Sequence, residues 1–179
     1  MATGRAMSIE AMVRGDGKVV VVKGGDRLRE GRLTAEGVRE LHPVEAAYLL
    51  YIGKLRLREE SGRELSLEDM FKIIRDDNLW ILFVVYTDLR RKGKRVRLSH
   101  TPRMLYVEHG DKVIEMLVLE ENTMVPSTDI VEFVRRAISR GFEPMIAVVD
   151  MYGDITYYEV SKISFKPIER VWPGYEATS

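Results

Sequence analysis

Cysteine is absent from the 179 residues. That excludes a disulfide framework, a thiolate nucleophile and any zinc site built on cysteine. No apolar run approaches the ~20 residues of a membrane-spanning helix. The stretch from Met1 to Ala6 lacks the apolar core of a secretion signal, so the expected compartment is the cytoplasm. An excess of either charge is also missing: 28 basic residues balance 28 acidic ones, and the balance holds on both sides of Asp77. A global pull towards polyanions is thereby excluded, and any nucleic-acid contact has to come from a local patch. There is no internal repeat, P-loop, dinucleotide-binding glycine fingerprint, nucleophile elbow or kinase motif.

What is present suits one medium domain or two small ones, with 45% hydrophobic residues to build cores. Between Gly15 and Gly37 the chain is rich in glycine and charge; its one apolar run, Val19-Val20-Val21-Val22, predicts a strand ended by Gly24-Gly25. A largely buried helix is expected from His42 to Gly53, with Pro43 in its first turn, Glu45 near the positive end and Gly53 as its stop. A strand follows over 54–58. Ser66 has the shape of an N-cap for a second helix with Met70, Phe71, Ile73 and Ile74 inward. The longest helix carries Leu79, Leu82, Phe83, Tyr86 and Leu89 as a helical stripe and ends at Gly93. Strands are expected at 95–98, 104–107 and 113–119. A fourth helix is capped by Ser127 or Thr128, carries Ile130, Phe133, Val134, Ala137 and Ile138, and stops at Gly141. The run 145–149 predicts a doubly buried central strand, followed by a turn at 150–154 and a return strand over 155–160. The fold class is therefore α/β (α+β). A small N-terminal α/β domain over 1–77 precedes a C-terminal domain over 78–179, with a central mixed sheet flanked by helices.

Three groups of residues invite a functional reading. Arg90, Arg91, Lys92, Lys94, Arg95, Arg97 and Arg103 form a run with no acid between its ends, a density suited to RNA phosphates. Cations at a helix C-terminus also have a purely structural explanation. His42, His100 and His109 lack the i, i+4 spacing of a helical metal pair, so no metal is expected, and His109 reads as a loop histidine beside Gly110. Asp150 and Asp154 fit a cation site, ordinary turn aspartates or insertion into a basic pocket of another subunit, and the residues alone do not rank these.

Three stretches bring in a family. Tyr86-Thr-Asp-Leu-Arg-Arg-Lys-Gly-Lys-Arg-Val96 resembles the Tyr-x-Asp-Leu-Arg-x-x-Gly-x-x-Val signature of archaeal tRNA-splicing endonucleases. Leu41-His-Pro-Val-Glu-Ala-Ala-Tyr-Leu-Leu50 is similar to a helix of that family's N-terminal domain. Phe133-Val-Arg-Arg-Ala137, Ile146-Ala-Val-Val-Asp150 and Gly153-Asp-Ile-Thr-Tyr-Tyr158 are similar to its C-terminal helix and hairpin. The resemblance implies metal-free, cofactor-free RNA cleavage. A 2′-hydroxyl attacks the adjacent phosphate and leaves a 2′,3′-cyclic phosphate and a 5′-hydroxyl. Tyrosine serves as base, histidine as acid and lysine as the charge stabiliser.

Carried over by position, the tyrosine matches Tyr106. The histidine, normally in a His-Ser-x-Tyr context, falls at Asp111 or a neighbour, and the lysine falls at Phe142. Two of the three groups are thus missing. The resemblance is closest to the non-catalytic structural subunit of the crenarchaeal heterotetramer, which pairs two catalytic with two structural chains. It implies a catalytic partner subunit, a bulge-helix-bulge precursor tRNA as the RNA, and no membrane. Arg91, Arg95 and Arg135 are the expected RNA contacts; Asp150, Gly153 and Asp154 match an acidic loop that holds the family's tetramer together. Two other readings stand beside this one. The chain is itself a nuclease with Tyr106, His109 and Arg140 as a displaced triad, or it is an RNA-binding assembly module without an endonuclease partner.

Overall fold

The computed structural model describes residues 9–160; the outer limits of both expected domains lie beyond them. Two mixed sheets and four α-helices make up an α+β fold. The first sheet holds β1 (Ile9–Val13), β2 (Val19–Lys23), β3 (Arg32–Leu33), β4 (Arg39–Leu41), β5 (Leu55–Glu59) and β6 (Glu64–Leu65), in the order β3-β4-β2-β1-β5-β6. Only β1 and β5 pair in parallel. Strand β1 buries Ile9, Ala11 and Val13 and turns Glu10 and Met12 away, the period-two signature of a half-buried strand. Five residues with one alanine carry too weak a signal to predict it from the sequence. Strands β3, β4 and β6 are only two or three residues long and have no periodicity to read.

Helix α1 (Pro43–Tyr51) covers this sheet, and α2 (Leu67–Ile73) follows β6. Ser66 caps α2 as expected: its hydroxyl accepts from the Asp69 N–H at 3.1 Å, and Asp69 accepts from the Ser66 N–H at 3.0 Å. Met70 and Ile74 are buried, whereas Ile73 faces outward.

The cap of α1 is a histidine. Its Nδ1 accepts from the Val44 N–H at 3.2 Å, and Glu45 accepts from the His42 N–H at 3.0 Å. An accepting Nδ1 must be unprotonated. Burial, the largest influence, pushes the His42 pKa below 6.5; Asp76 opposes and His100 adds to this. The fold thus favours the neutral ring. Its contribution is complete above pH 6.5 and is lost as the pH falls through the lower folded value. Burial drives the Glu45 carboxyl the other way, above 4.5, so protonation there favours the fold. In a Glu45→Gln background, which keeps the cap, stability should drop by about 1 kcal/mol as the pH falls below 6.5. Denaturant unfolding against pH checks this, with a flat profile expected for His42→Asn.

Helix α3 (Leu79–Arg91) lies between the two layers. The expected stripe is buried, and so are Ile81, Val85 and Thr87. One continuous core runs from Val44 and Leu57 through α3 to Leu105, Val118 and Val149. Gly93 ends the helix with φ 74°, a conformation that side chains with a Cβ resist. The second sheet holds β7 (Arg95–Leu98), β8 (Met104–His109), β9 (Lys112–Glu120), β10 (Glu143–Val149) and β11 (Ile155–Glu159), in the order β11-β10-β9-β8-β7. Strand β9 is the middle one; β10 stands beside it because the 150–154 turn adds β11 outside. Helix α4 (Ser127–Ser139) connects β9 to its parallel neighbour β10 and packs Phe133 and Val134 against Met104, Leu119 and Ile146. Its N-cap is Pro126, without a side-chain cap bond, and Ile138 in its last turn is exposed. Ser127 and Thr128 therefore lie inside the helix, and Thr128 hydrogen-bonds the Asp129 carboxylate instead.

Part of the basic run serves the fold. Arg90 donates to Glu30 at 2.7 Å and to the Tyr86 hydroxyl at 3.1 Å, and its guanidinium lies 5.3 Å from the Tyr48 ring centre. The Arg90 and Glu30 side chains are 27% and 10% exposed. Arg90→Ala should cost about 3 kcal/mol in urea unfolding, near the low end for a broken buried pair, because Glu30 is left without its cation.

Candidate functional site

The register of the second sheet assembles the site. Arg97 on β7 stands opposite Tyr106 on β8, and Tyr106 opposite Glu115 on β9. Arg140 follows α4, Gly141 turns the chain with φ 76°, and Phe142 leads into β10. The Tyr106 hydroxyl donates to Glu115 Oε1 at 3.3 Å, and Arg140 Nη1 donates to the same oxygen at 3.1 Å. Arg140 Nη2 lies 3.5 Å from the Tyr106 hydroxyl. The Arg140 guanidinium sits 4.8 Å from the Phe142 ring centre, and the Tyr106 and Phe142 rings are 5.7 Å apart. Glu115 is 1% exposed, and its Oε2 has no hydrogen-bond partner among the described residues.

The other candidates for proton transfer lie elsewhere. Asp111 is exposed in the turn between β8 and β9, where Gly110 has φ 64°. His109 is three residues from Tyr106 on the same strand, so alternation turns it to the opposite face. There its Nδ1 is 3.3 Å from Lys94 Nζ. Of the displaced triad, Arg140 and Tyr106 meet, and His109 does not join them.

The expected RNA contacts do not converge on one spot. Arg91, at the end of α3, donates to the Tyr51 hydroxyl and lies 5.2 Å from that ring's centre. Arg95 on β7 is exposed, 3.6 Å from Glu108. Arg135 is exposed on α4, across the second sheet from α3. Arg103 donates to Asn78 at 2.7 Å, and Lys92 pairs with Asp88 at 2.7 Å. An open groove of about 890 Å³ between β7 and the β3–β4 region has a mixed lining, with Arg32, Lys94, Arg95 and Arg97 beside Glu30, Glu40 and Glu108.

In the hairpin turn, Asp150 Oδ1 accepts from the N–H groups of Tyr152 and Asp154, both at 2.8 Å. Gly153 has φ 87°, which favours glycine. The Asp154 carboxylate has no partner among the described residues and is exposed. Met151 and Tyr152 at the tip are also exposed. Among the described residues, no three His, Asp or Glu side chains are grouped to hold a metal ion, and no helix is long and apolar enough to cross a membrane.

Two family models match this chain. The tRNA intron endonuclease N-terminal domain covers residues 16–71, and the tRNA intron endonuclease catalytic C-terminal domain covers 79–157. A tRNA-splicing endonuclease of Thermococcus onnurineus is 35% identical over 131 residues, 68% of this chain and 75% of the relative. One from Thermococcus kodakarensis is 34% identical over 139 residues, 73% and 81% of the two chains. An EndA-like protein of Methanopyrus kandleri is 29% identical over 128 residues, 69% and 77%. The chain belongs to the tRNA intron endonuclease family.

Within that RNA-cleaving family, two features of the site escaped sequence reasoning. Glu115 was hidden in an apolar strand, and the signal was there: one acid between Ile114 and Met116 in a run that is otherwise hydrophobic. Arg140 stood out only as a displaced lysine, and nothing in its spacing announces a buried anion on the neighbouring strand. The cluster has a phenol, a guanidinium and a carboxylate. Among the described residues it includes no imidazole and no ammonium, and the ring of Phe142 can neither donate a hydrogen bond nor offset a phosphorane-like charge.

Proposed function

We propose that this chain is the structural, non-catalytic subunit of a tRNA-splicing endonuclease. It assembles with a catalytic subunit as two plus two, in the cytoplasm, and helps excise introns from bulge-helix-bulge precursor tRNA without metal or cofactor. The N-terminal unit, 1–77, and the endonuclease-like unit, 78–179, form the shared scaffold. One observation supports the reading: Tyr106 is hydrogen-bonded to a buried carboxylate and lies beside the ring of Phe142, the residue that the resemblance aligns with the family's lysine. A base without an acid or a charge stabiliser loses most of what such a site supplies. The placement of His109 on the other face of β8 counts against a nuclease with a displaced triad.

Co-expression with a family member that carries tyrosine, histidine and lysine tests the proposal. Mass measurement should give a two-plus-two assembly, and that assembly should cut precursor tRNA. Two chains that fail to associate would return this protein to an RNA-binding module.

The arginines provide a separate test. Charge reversal at Arg91, Arg95 or Arg135 should weaken RNA binding and reduce the log–log salt slope by about one unit per lost phosphate contact. Unchanged slopes for all three would leave them as helix-end and surface charge.

A further inference from the structure

A carboxylate in the middle of a central strand is costly to bury unless something compensates its charge. Glu115 is such a group, and the compensation it receives is narrow. Its Oε1 takes the Tyr106 hydroxyl and Arg140 Nη1, while Oε2 takes no hydrogen bond among the described residues. Among the described residues, Arg140 is the one cation within ion-pair distance. The Arg140 side chain itself is 46% exposed, and a free guanidinium at the rim of a family active site would be a ready phosphate ligand. The geometry constrains it instead. Arg140 lies over Phe142 with one terminal nitrogen on Glu115 and the other towards the Tyr106 hydroxyl. Surrendering it to a phosphate would leave an uncompensated, half-satisfied carboxylate in the core.

We infer that Glu115 is a positioning residue that holds Arg140 across the Tyr106 and Phe142 rings and neutralises its charge, closing this site to an RNA phosphate. This rests on the non-catalytic reading and deepens it. Loss of the histidine and lysine would abolish chemistry but could leave a cationic pocket that competes for the substrate backbone. The Glu115–Arg140 pair removes that competing site. Among the described residues, Arg97, 5.9 Å from the Tyr106 ring centre, is the other cation facing the tyrosine, and it is exposed.

The test is the salt dependence of binding between the full chain and a bulge-helix-bulge RNA, compared among variants. Glu115→Gln keeps the shape and removes the charge. Glu115→Leu removes both oxygens, so no carboxylate or amide oxygen is left buried at this position, and it serves if the amide variant does not fold. Either should bind RNA several-fold more tightly at low salt, with a log–log slope steeper by about 0.7–0.9, the mark of one added phosphate contact. Adding Arg140→Ala to Glu115→Leu should restore the wild-type slope. A carboxylate with a merely structural role would shift the thermal midpoint and leave the slope alone. Equal slopes in wild type and a folded Glu115 variant would overturn the inference, as would a steepened slope that survives Arg140→Ala. Cleavage by the wild-type chain alone would instead overturn the subunit reading, and the slopes do not depend on it.

Discussion

The purified chain alone should leave a bulge-helix-bulge RNA uncut, while the same chain mixed with a triad-bearing subunit should yield a 2′,3′-cyclic phosphate and a 5′-hydroxyl. The argument is one of missing groups. Departure of the 5′-oxygen needs a proton donor, and Asp111 stands exposed in the turn between β8 and β9, outside the cluster of Tyr106, Glu115 and Arg140. Growing charge on the phosphoryl oxygens needs a cation, and Arg140 is engaged by Glu115. Each general acid or base typically contributes ~10²–10⁴-fold. Losing the acid and the charge stabiliser together puts the expected rate far below detection in an ordinary gel assay. The control is Tyr106→Phe in the assembled enzyme. Turnover should stay nearly intact, because this tyrosine is bound to a carboxylate and faces no acid across a scissile phosphate. A fall of a hundredfold or more with assembly unchanged would make Tyr106 a catalytic base and this chain an enzyme.

The four helices were legible because each carries its own punctuation. Pro43 and Glu45 open α1, Ser66 and Asp69 box the start of α2, and Gly93 and Gly141 stop α3 and α4. Local chemistry fixes such features, so a linear reading finds them. What stayed hidden is non-local. The parallel pairing of β1 with β5 joins segments more than forty residues apart, and strands of two or three residues acquire an identity only from their neighbours. The same limit applies at the site. Tyr106 and Phe142 could be matched by motif, but the cross-strand register that sets Glu115 opposite Tyr106, and the helix end that brings Arg140 over both, follow from tertiary packing. His42 as a cap was missed for a different reason. Histidine is a rare choice there, and its suitability depends on a ring kept neutral by burial.

The hairpin turn leads to the other large effect, a change in assembly from tetramer to dimer. Its two aspartates have been separated by the geometry. Asp150 spends its carboxylate on the backbone N–H groups of Tyr152 and Asp154, which is how an aspartate builds a turn. Asp154 projects a carboxylate with no partner among the described residues, on a tip that also exposes Met151 and Tyr152. In the proposed heterotetramer, Asp154 enters a basic pocket of a neighbouring chain and becomes a desolvated ion pair. Removing one member of such a pair typically costs ~3–5 kcal/mol, since the other charge stays buried and unpaired. That is roughly a hundredfold to a few thousandfold in a dissociation constant. Asp154→Ala should therefore sediment as a dimer at micromolar concentration with each chain folded. Asp150→Ala should act more diffusely, by loosening the turn itself. Sedimentation that still shows a full tetramer for the double variant would refute the inserted loop and leave Asp154 as an ordinary exposed turn residue.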